Sequence, residues 1–165
     1  GALGVLAGSQ GTMNNHIWGN ETFQNYETIC GGTGAGPDFD GADAVHSHMT
    51  NTLMTDPEIL EWRFPVRIDE FSIRKGSGGV GKHTGGEGIR RRLRFLEKMT
   101  TTVLTSHRIV PPQGANGGGH GGCGRNAVER ANGTIVEMKG NDALDVDIND
   151  VFIMETPGGG GFGKA

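Results

Sequence analysis

Cysteine is scarce: Cys30 and Cys123 are the only two in 165 residues. Two thiols cannot build the multi-bridge framework of a small secreted domain, and both are expected to be free in a reducing cytosol. Long apolar runs are missing too. Nothing approaches the ~20 residues of a membrane helix, and no secretory leader is recognisable. The expected location is therefore cytoplasmic, with no membrane partner, and the sequons at Asn20 and Asn132 carry little meaning. An excess of one charge is also absent. The net charge is −4 with the charges interspersed, which argues against a chain built as a whole to hold nucleic acid. The one basic run, Arg90-Arg91-Arg92-Leu93-Arg94, is expected to be the solvated face of a strand rather than a polyanion patch.

What the chain has in excess is glycine, 31 residues, with 6 prolines. They follow no three-residue period, which excludes collagen. Segments rich in Val, Ile and Phe lie between them. The expectation is a mainly β or α+β domain, rich in glycine loops and with few short helices. The length suits one domain with a modest core. The opening, Gly1-Ala-Leu-Gly-Val-Leu-Ala-Gly8, resembles the tail of an apolar helix, so residues 1–165 are expected to be one piece of something longer.

Local patterns place several elements. Ile17, Trp18, Phe23 and Tyr26 suit strands. In Thr55-Asp56-Pro57-Glu58 a capping side chain, a proline and an acid stand in the order of a helix start, and Phe64-Pro65 ends that helix. Val66–Arg74 alternates with a shift of phase after Ile68, as a bulge would produce. Residues 89–96 and 101–109 read as strands joined at Glu97-Lys98. Asn132-Gly133 between residues 126–130 and 134–138 suits a type I′ hairpin. Val151–Glu155 is the last strand.

Four patterns bear on chemistry. His46 and His48, two apart, would share one face of a strand, as metal-binding pairs do; a hydrogen-bonded structural pair is the alternative. Asp38, Asp40 and Asp43 are the nearby carboxylates that could assist. Gly31–Gly36 could cradle an anion through its N–H groups, but it is neither a P-loop nor a dinucleotide fingerprint. Gly76-Ser-Gly-Gly-Val-Gly81-Lys82-His83 looks like a P-loop, yet His83 stands where Ser or Thr belongs, so it reads as a glycine loop. Cys30 is either a thiol activated by glycine N–H groups or a small buried residue. Glu27 is the better acid/base candidate.

Ser9-Gln-Gly-Thr-Met-Asn-Asn15, Tyr26-Glu27-Thr28, Gly31-Gly-Thr-Gly-Ala-Gly36 and Val45-His46-Ser-His48-Met-Thr-Asn51-Thr52 occur in order. Thr55-Asp-Pro-Glu-Ile-Leu-Glu61, Arg74-Lys-Gly-Ser-Gly-Gly79, Gly85-Gly86-Glu-Gly88 and Thr156-Pro-Gly-Gly-Gly-Gly-Phe162-Gly163 follow. Together they resemble the hydantoinase B/5-oxoprolinase family over essentially the whole chain. The resemblance implies the C-terminal part of a longer B-type subunit or domain. Such enzymes act on cyclic amides: ATP phosphorylates the amide carbonyl and water opens the ring. It further implies that ATP and Mg bind a separate A-type partner, with any metal of the B-type subunit placed largely by residues upstream. Tyr26, Glu27, His46, His48 and Asn51 are then the residues expected to face the shared site. Glu27 or a histidine would handle protons, while Asn51 and glycine N–H groups steady the carbonyl oxygen. The alternative implied role is a scaffold or subunit-interface domain of such an enzyme, or of a related ketone carboxylase.

Overall fold

The computed structural model describes residues 3–11, 13–47, 50 and 52–165. Among them are nine strands and one helix: β1 Asn14–Gly19, β2 Gln24–Thr28, α1 Pro57–Arg63, β3 Val66–Arg74, β4 Gly88–Phe95, β5 Met99–Thr105, β6 Arg125–Glu129, β7 Ile135–Met138, β8 Asn141–Val146 and β9 Val151–Glu155. They form two antiparallel sheets, ordered β2-β1-β5-β8 and β3-β4-β9-β6-β7. This is the mainly β domain that the composition implies.

The sheets pack face to face through alternate residues. Trp18, Met99, Val103 and Val146 of the first meet Leu93, Phe95, Val128, Phe152 and Met154 of the second in one buried cluster. The Trp18 and Phe95 rings lie edge to face, 6.5 Å between centroids, an arrangement the ring quadrupole favours. Outside this core, Ala127, Val151 and Ile153 are buried on the other face of the second sheet. On β4, Ile89, Arg91, Leu93 and Phe95 are buried, while Arg90, Arg92 and Arg94 sit in the opposite phase.

The local expectations fare as follows. Asp56 caps α1, its carboxylate accepting from the Glu58 N–H at 2.9 Å. β3 slips register between Ile68 and Glu70, as its phase shift implied. β6 and β7 form the expected hairpin, but the turn is not type I′. Only Gly133 has a positive φ, 85°, and the Gly133 N–H bonds the Arg130 carbonyl at 2.8 Å. A longer loop with one left-handed residue replaces the two-residue turn. β5 stops at Thr105 rather than residue 109, because His107 takes a left-handed φ of 54°. β8 was not foreseen. Residues 3–8 are not a helix end: they run as a turn and extended chain, with Ala7 N–H bonded to Ala35 and Gly8 N–H to Gln113.

The glycines build the other end of the molecule. Segments around residues 8, 32–35, 79–86, 113–121 and 158–161 pack backbone against backbone. Gly160 donates to Gly8 at 2.7 Å, Ala35 to Gly160 at 3.0 Å, Gly159 to Gly86 at 2.8 Å and Gly79 to Gly159 at 2.8 Å. A Cβ on Gly159 would fall inside 3.0 Å of the Thr33 carbonyl, closer than real Cβ atoms come. Glycine serves mainly close approach here rather than a left-handed turn: of the positive-φ glycines only Gly117 lies within these segments.

Candidate functional site

Where the core passes toward the edge strands β2 and β3, its apolar character breaks. Glu27 on β2 stands opposite His16 on β1, and parity turns both inward. The Glu27 Oε2 lies 2.9 Å from Nη1 of Arg91, with side-chain exposures of 3% and 4%. The separation is that of an ion pair, but the donors are not aligned. Neither Glu27 oxygen nor Arg91 Nη1 has a hydrogen-bond partner among the described residues. Removing two charges from water costs several kcal/mol per ion, roughly, unless hydrogen bonds return it. This pair lacks them.

Its neighbours are tuned by the same burial. The His16 ring stacks on Phe152 at 3.9 Å, and its Nε2 lies 2.8 Å from the Thr101 hydroxyl. Burial, and then the positive charge of Arg91, hold its pKa well below the usual histidine value, so it stays neutral. Burial chiefly pushes the Cys30 thiol up. Cys30 is thus the small buried residue of the two readings, not an activated nucleophile; its Sγ rests 3.9 Å from Met54 Sδ.

Beside Arg91 is a cavity of about 260 Å³, walled by Met54–Pro57 on one side and Ile68 and Phe71 of β3 on the other. Phe71 and Arg91 are cross-strand partners. That volume is just below the ~300–1,000 Å³ of drug-sized ligand pockets, so it admits one small ring and not a nucleotide. A larger open trough, about 750 Å³, lies on the outer face of the first sheet over Ile17, Thr100 and Thr102. It carries no buried charge.

The expected site residues separate. Glu27 enters the buried cluster. Tyr26, on the opposite face of the same strand, is 59% exposed, and its hydroxyl accepts from Thr28 Oγ1 at 3.1 Å. His46 lies in no strand. It follows the Val45–Gly31 bridge, half-buried, with both ring nitrogens shielded and without hydrogen bonds among the described residues. Burial lowers its pKa. His48 and Asn51 lie outside the described residues.

Other expectations need correction. The Gly31–Gly36 loop is not a free anion cradle. Its N–H groups at Gly31, Gly32, Thr33, Ala35 and Gly36 donate to the carbonyls of Val45, Pro157, Ala42, Gly160 and Phe39, so they are not available to a substrate oxygen. The P-loop lookalike does form a nest, but its occupant is internal: the N–H groups of Gly76, Ser77 and Gly78 all donate to the Glu87 carboxylate, at 3.0, 2.6 and 2.9 Å. Burial alone would raise the Glu87 pKa; these donors prevail and lower it. Asp40 and Asp43 accept from the Thr84 and Glu87 N–H groups and so fasten loops. Among the described residues, no three His, Cys, Asp or Glu side chains gather as a metal site.

Arg91 and His16 are the residues that reading for motifs missed. The signal was strand parity: apolar Ile89, Leu93 and Phe95 require residue 91 to face inward with them. Arg108, also largely buried, makes the contrast. Its guanidinium donates to Asn126, Asn14 and the Ser106 carbonyl. Its pKa falls to about 9 through burial and the nearby Arg74, but its bonds are formed.

The family model for hydantoinase B/oxoprolinase matches residues 1–165. A 5-oxoprolinase of Dictyostelium discoideum is 48% identical over 163 residues, 99% of this chain and 13% of that protein. A second, 5-oxoprolinase 1 of Arabidopsis thaliana, is 43% identical over the same shares. The crystal structure of the ATP-dependent caprolactamase of Pseudomonas jessenii superposes with a TM-score of 0.84 at 24% identity, over 97% of this chain and 30% of that one; that likeness bears on the fold alone. The chain spans only 13% of the length of either 5-oxoprolinase.

Proposed function

The chain belongs to the hydantoinase B/oxoprolinase family, and on that premise we propose that it forms the C-terminal part of an ATP-dependent cyclic-amide hydrolase of the 5-oxoprolinase type. The observation that carries this is the 48% identity to a 5-oxoprolinase across 99% of the chain. ATP and Mg belong to an A-type partner or domain. Among the described residues the P-loop-like nest is filled by Glu87, and the cavity beside Arg91 is too small for a nucleotide. The upstream part of the same polypeptide and the small cyclic amide complete the partners, and the enzyme works in the cytoplasm.

Within this proposal Glu27, His46, His48 and Asn51 serve the shared site, and any metal held by His46 and His48 takes its further ligands from upstream. Glu27 acts through Arg91, its charged contact among the described residues. Tyr26, on the far face of β2, meets the neighbouring part of the enzyme instead. The glycine loops, most of whose N–H groups donate to carbonyls of neighbouring loops, are scaffold. That observation favours a second reading for the glycine end alone, as a rigid interface with no chemistry.

The test is ATP-coupled ring opening by the whole polypeptide with its A-type part. 5-Oxoproline should yield glutamate and ADP together, and residues 1–165 alone should yield neither. An intact enzyme that leaves 5-oxoproline untouched, or turnover by the isolated segment at the intact rate, contradicts the proposal.

A further inference from the structure

Arg91, like Glu27 beside it, is a buried charged group with polar atoms left unbonded among the described residues. It is 4% exposed and contacts Glu27 without alignment, and its Nη1 is shielded from solvent without an acceptor. No hydrogen bond of its guanidinium occurs among the described residues. A guanidinium carries five N–H donors in a planar fork that suits oxygen acceptors. Buried polar groups are overwhelmingly bonded, and an exception calls for an explanation. Here the explanation adjoins it: Arg91 forms part of the wall of the 260 Å³ cavity.

The remaining wall indicates the shape of what enters. Met54, Pro57, Ile68 and Phe71 are apolar, and Thr55 and Asp56, the α1 cap, are the other polar residues of the wall. One guanidinium and two short polar side chains in an otherwise apolar wall fit a small, largely apolar ring with polar atoms on one edge. We propose that this cavity receives a small cyclic amide through an sp² oxygen, of the ring carbonyl or of an attached carboxylate, bonded to the Arg91 guanidinium. The assignment rests on the cyclic-amide reading above and adds the residue and the pocket. Glu27 keeps the guanidinium in place without occupying its fork. Met54–Pro57 closes the cavity from the loop side, directly downstream of the segment that carries His46.

Calorimetric binding to the intact polypeptide tests this with two probes differing by one group: 5-oxoproline, and 2-pyrrolidinone, which lacks the carboxylate. Arg91→Lys keeps the charge beside Glu27 but loses the fork. Ile68→Phe fills the cavity and leaves Arg91 intact. Melting curves confirm that both variants fold. Loss of a charge-assisted bond should weaken binding by about ten- to a hundredfold. If Arg91→Lys weakens both probes, the carbonyl is the contact; if it weakens 5-oxoproline alone, the carboxylate is. Ile68→Phe should weaken whichever probes bind. Unchanged affinity for both probes in both folded variants overturns the assignment, as does failure of the wild-type polypeptide to bind either. Wild-type turnover is scored separately. Normal turnover with unchanged affinities sinks the pocket and spares the function, whereas altered affinities without turnover do the reverse.

Discussion

Strand β4 carries arginines on two faces, and the two sets are treated differently. Outward, Arg90 pairs with Glu155, Arg92 with Glu129 and Arg94 with Asp69. Each keeps water on one side and an aligned carboxylate on the other. Inward, Arg91 is 4% exposed, with Glu27 beside it and no aligned bond among the described residues. The same residue type, one position apart, is cheap on one face and costly on the other. Exposed pairs contribute little, about 0–1 kcal/mol, whereas a buried pair incurs desolvation that its Coulomb attraction seldom recovers. A side chain kept where it lowers stability points to a purpose other than stability. That is the structural argument for a ligand at Arg91.

The largest effect should come from breaking the inward pair on one side. Glu27→Leu leaves a guanidinium buried without its counter-charge and should destabilise the domain by about 3–5 kcal/mol. Hydrogen exchange of the β4 and β9 amides in the intact polypeptide reads it. A loss below 1 kcal/mol would mean that water reaches Arg91 and that the two faces do not differ.

Acid should act next, through the neutral His16 beside Arg91. Its folded pKa is depressed, so below about pH 6.5 the unfolded chain takes a proton that the fold refuses. Stability contributed by a neutral His16 is therefore whole above pH 6.5. It declines as pH falls, by up to about 1.4 kcal/mol per unit, until the folded group itself titrates. His46, lowered by burial, acts in the same sense. Protection of the β1 and β9 amides should decline from pH 6.5 to pH 5.5; a flat profile would place His16 in contact with water.

The smallest effect belongs to the outward face. Arg92→Ala removes a half-exposed partner of Glu129 and should cost about 0.2–1 kcal/mol by the same exchange measurement. It should also leave 5-oxoproline affinity untouched. A loss equal to that of Glu27→Leu would erase the distinction between the faces.

Much of this was legible in the residues. The helix start at Asp56-Pro57, the bulge in β3 and the hairpin at Gly133 follow from capping, parity and turn chemistry, which act over a few residues. The inward Arg91 was legible as well, once its neighbours Ile89, Leu93 and Phe95 fixed the phase of β4. It was passed over because four arginines in five positions read as surface. The glycine stack was not legible. Its contacts join segments far apart in sequence, such as Gly8 to Gly160 and Gly159 to Thr33, and a glycine chosen for close approach looks the same in a sequence as one chosen for a turn. Nor could Glu27 be separated from Tyr26 as a candidate until β2 assigned them to opposite faces.

The most direct test of the central claim replaces both members of the inward pair, Glu27→Leu with Arg91→Met. Apolar residues of similar volume in place of a buried ion pair are often neutral or stabilising by about 1–4 kcal/mol. The double variant of the intact polypeptide should therefore melt at or above the wild-type temperature, and the stabilisation that wild type gains from 5-oxoproline should vanish. A double variant as unstable as Glu27→Leu alone, or one that keeps the full 5-oxoproline shift, would show that Arg91 is held for the fold and not for a ligand.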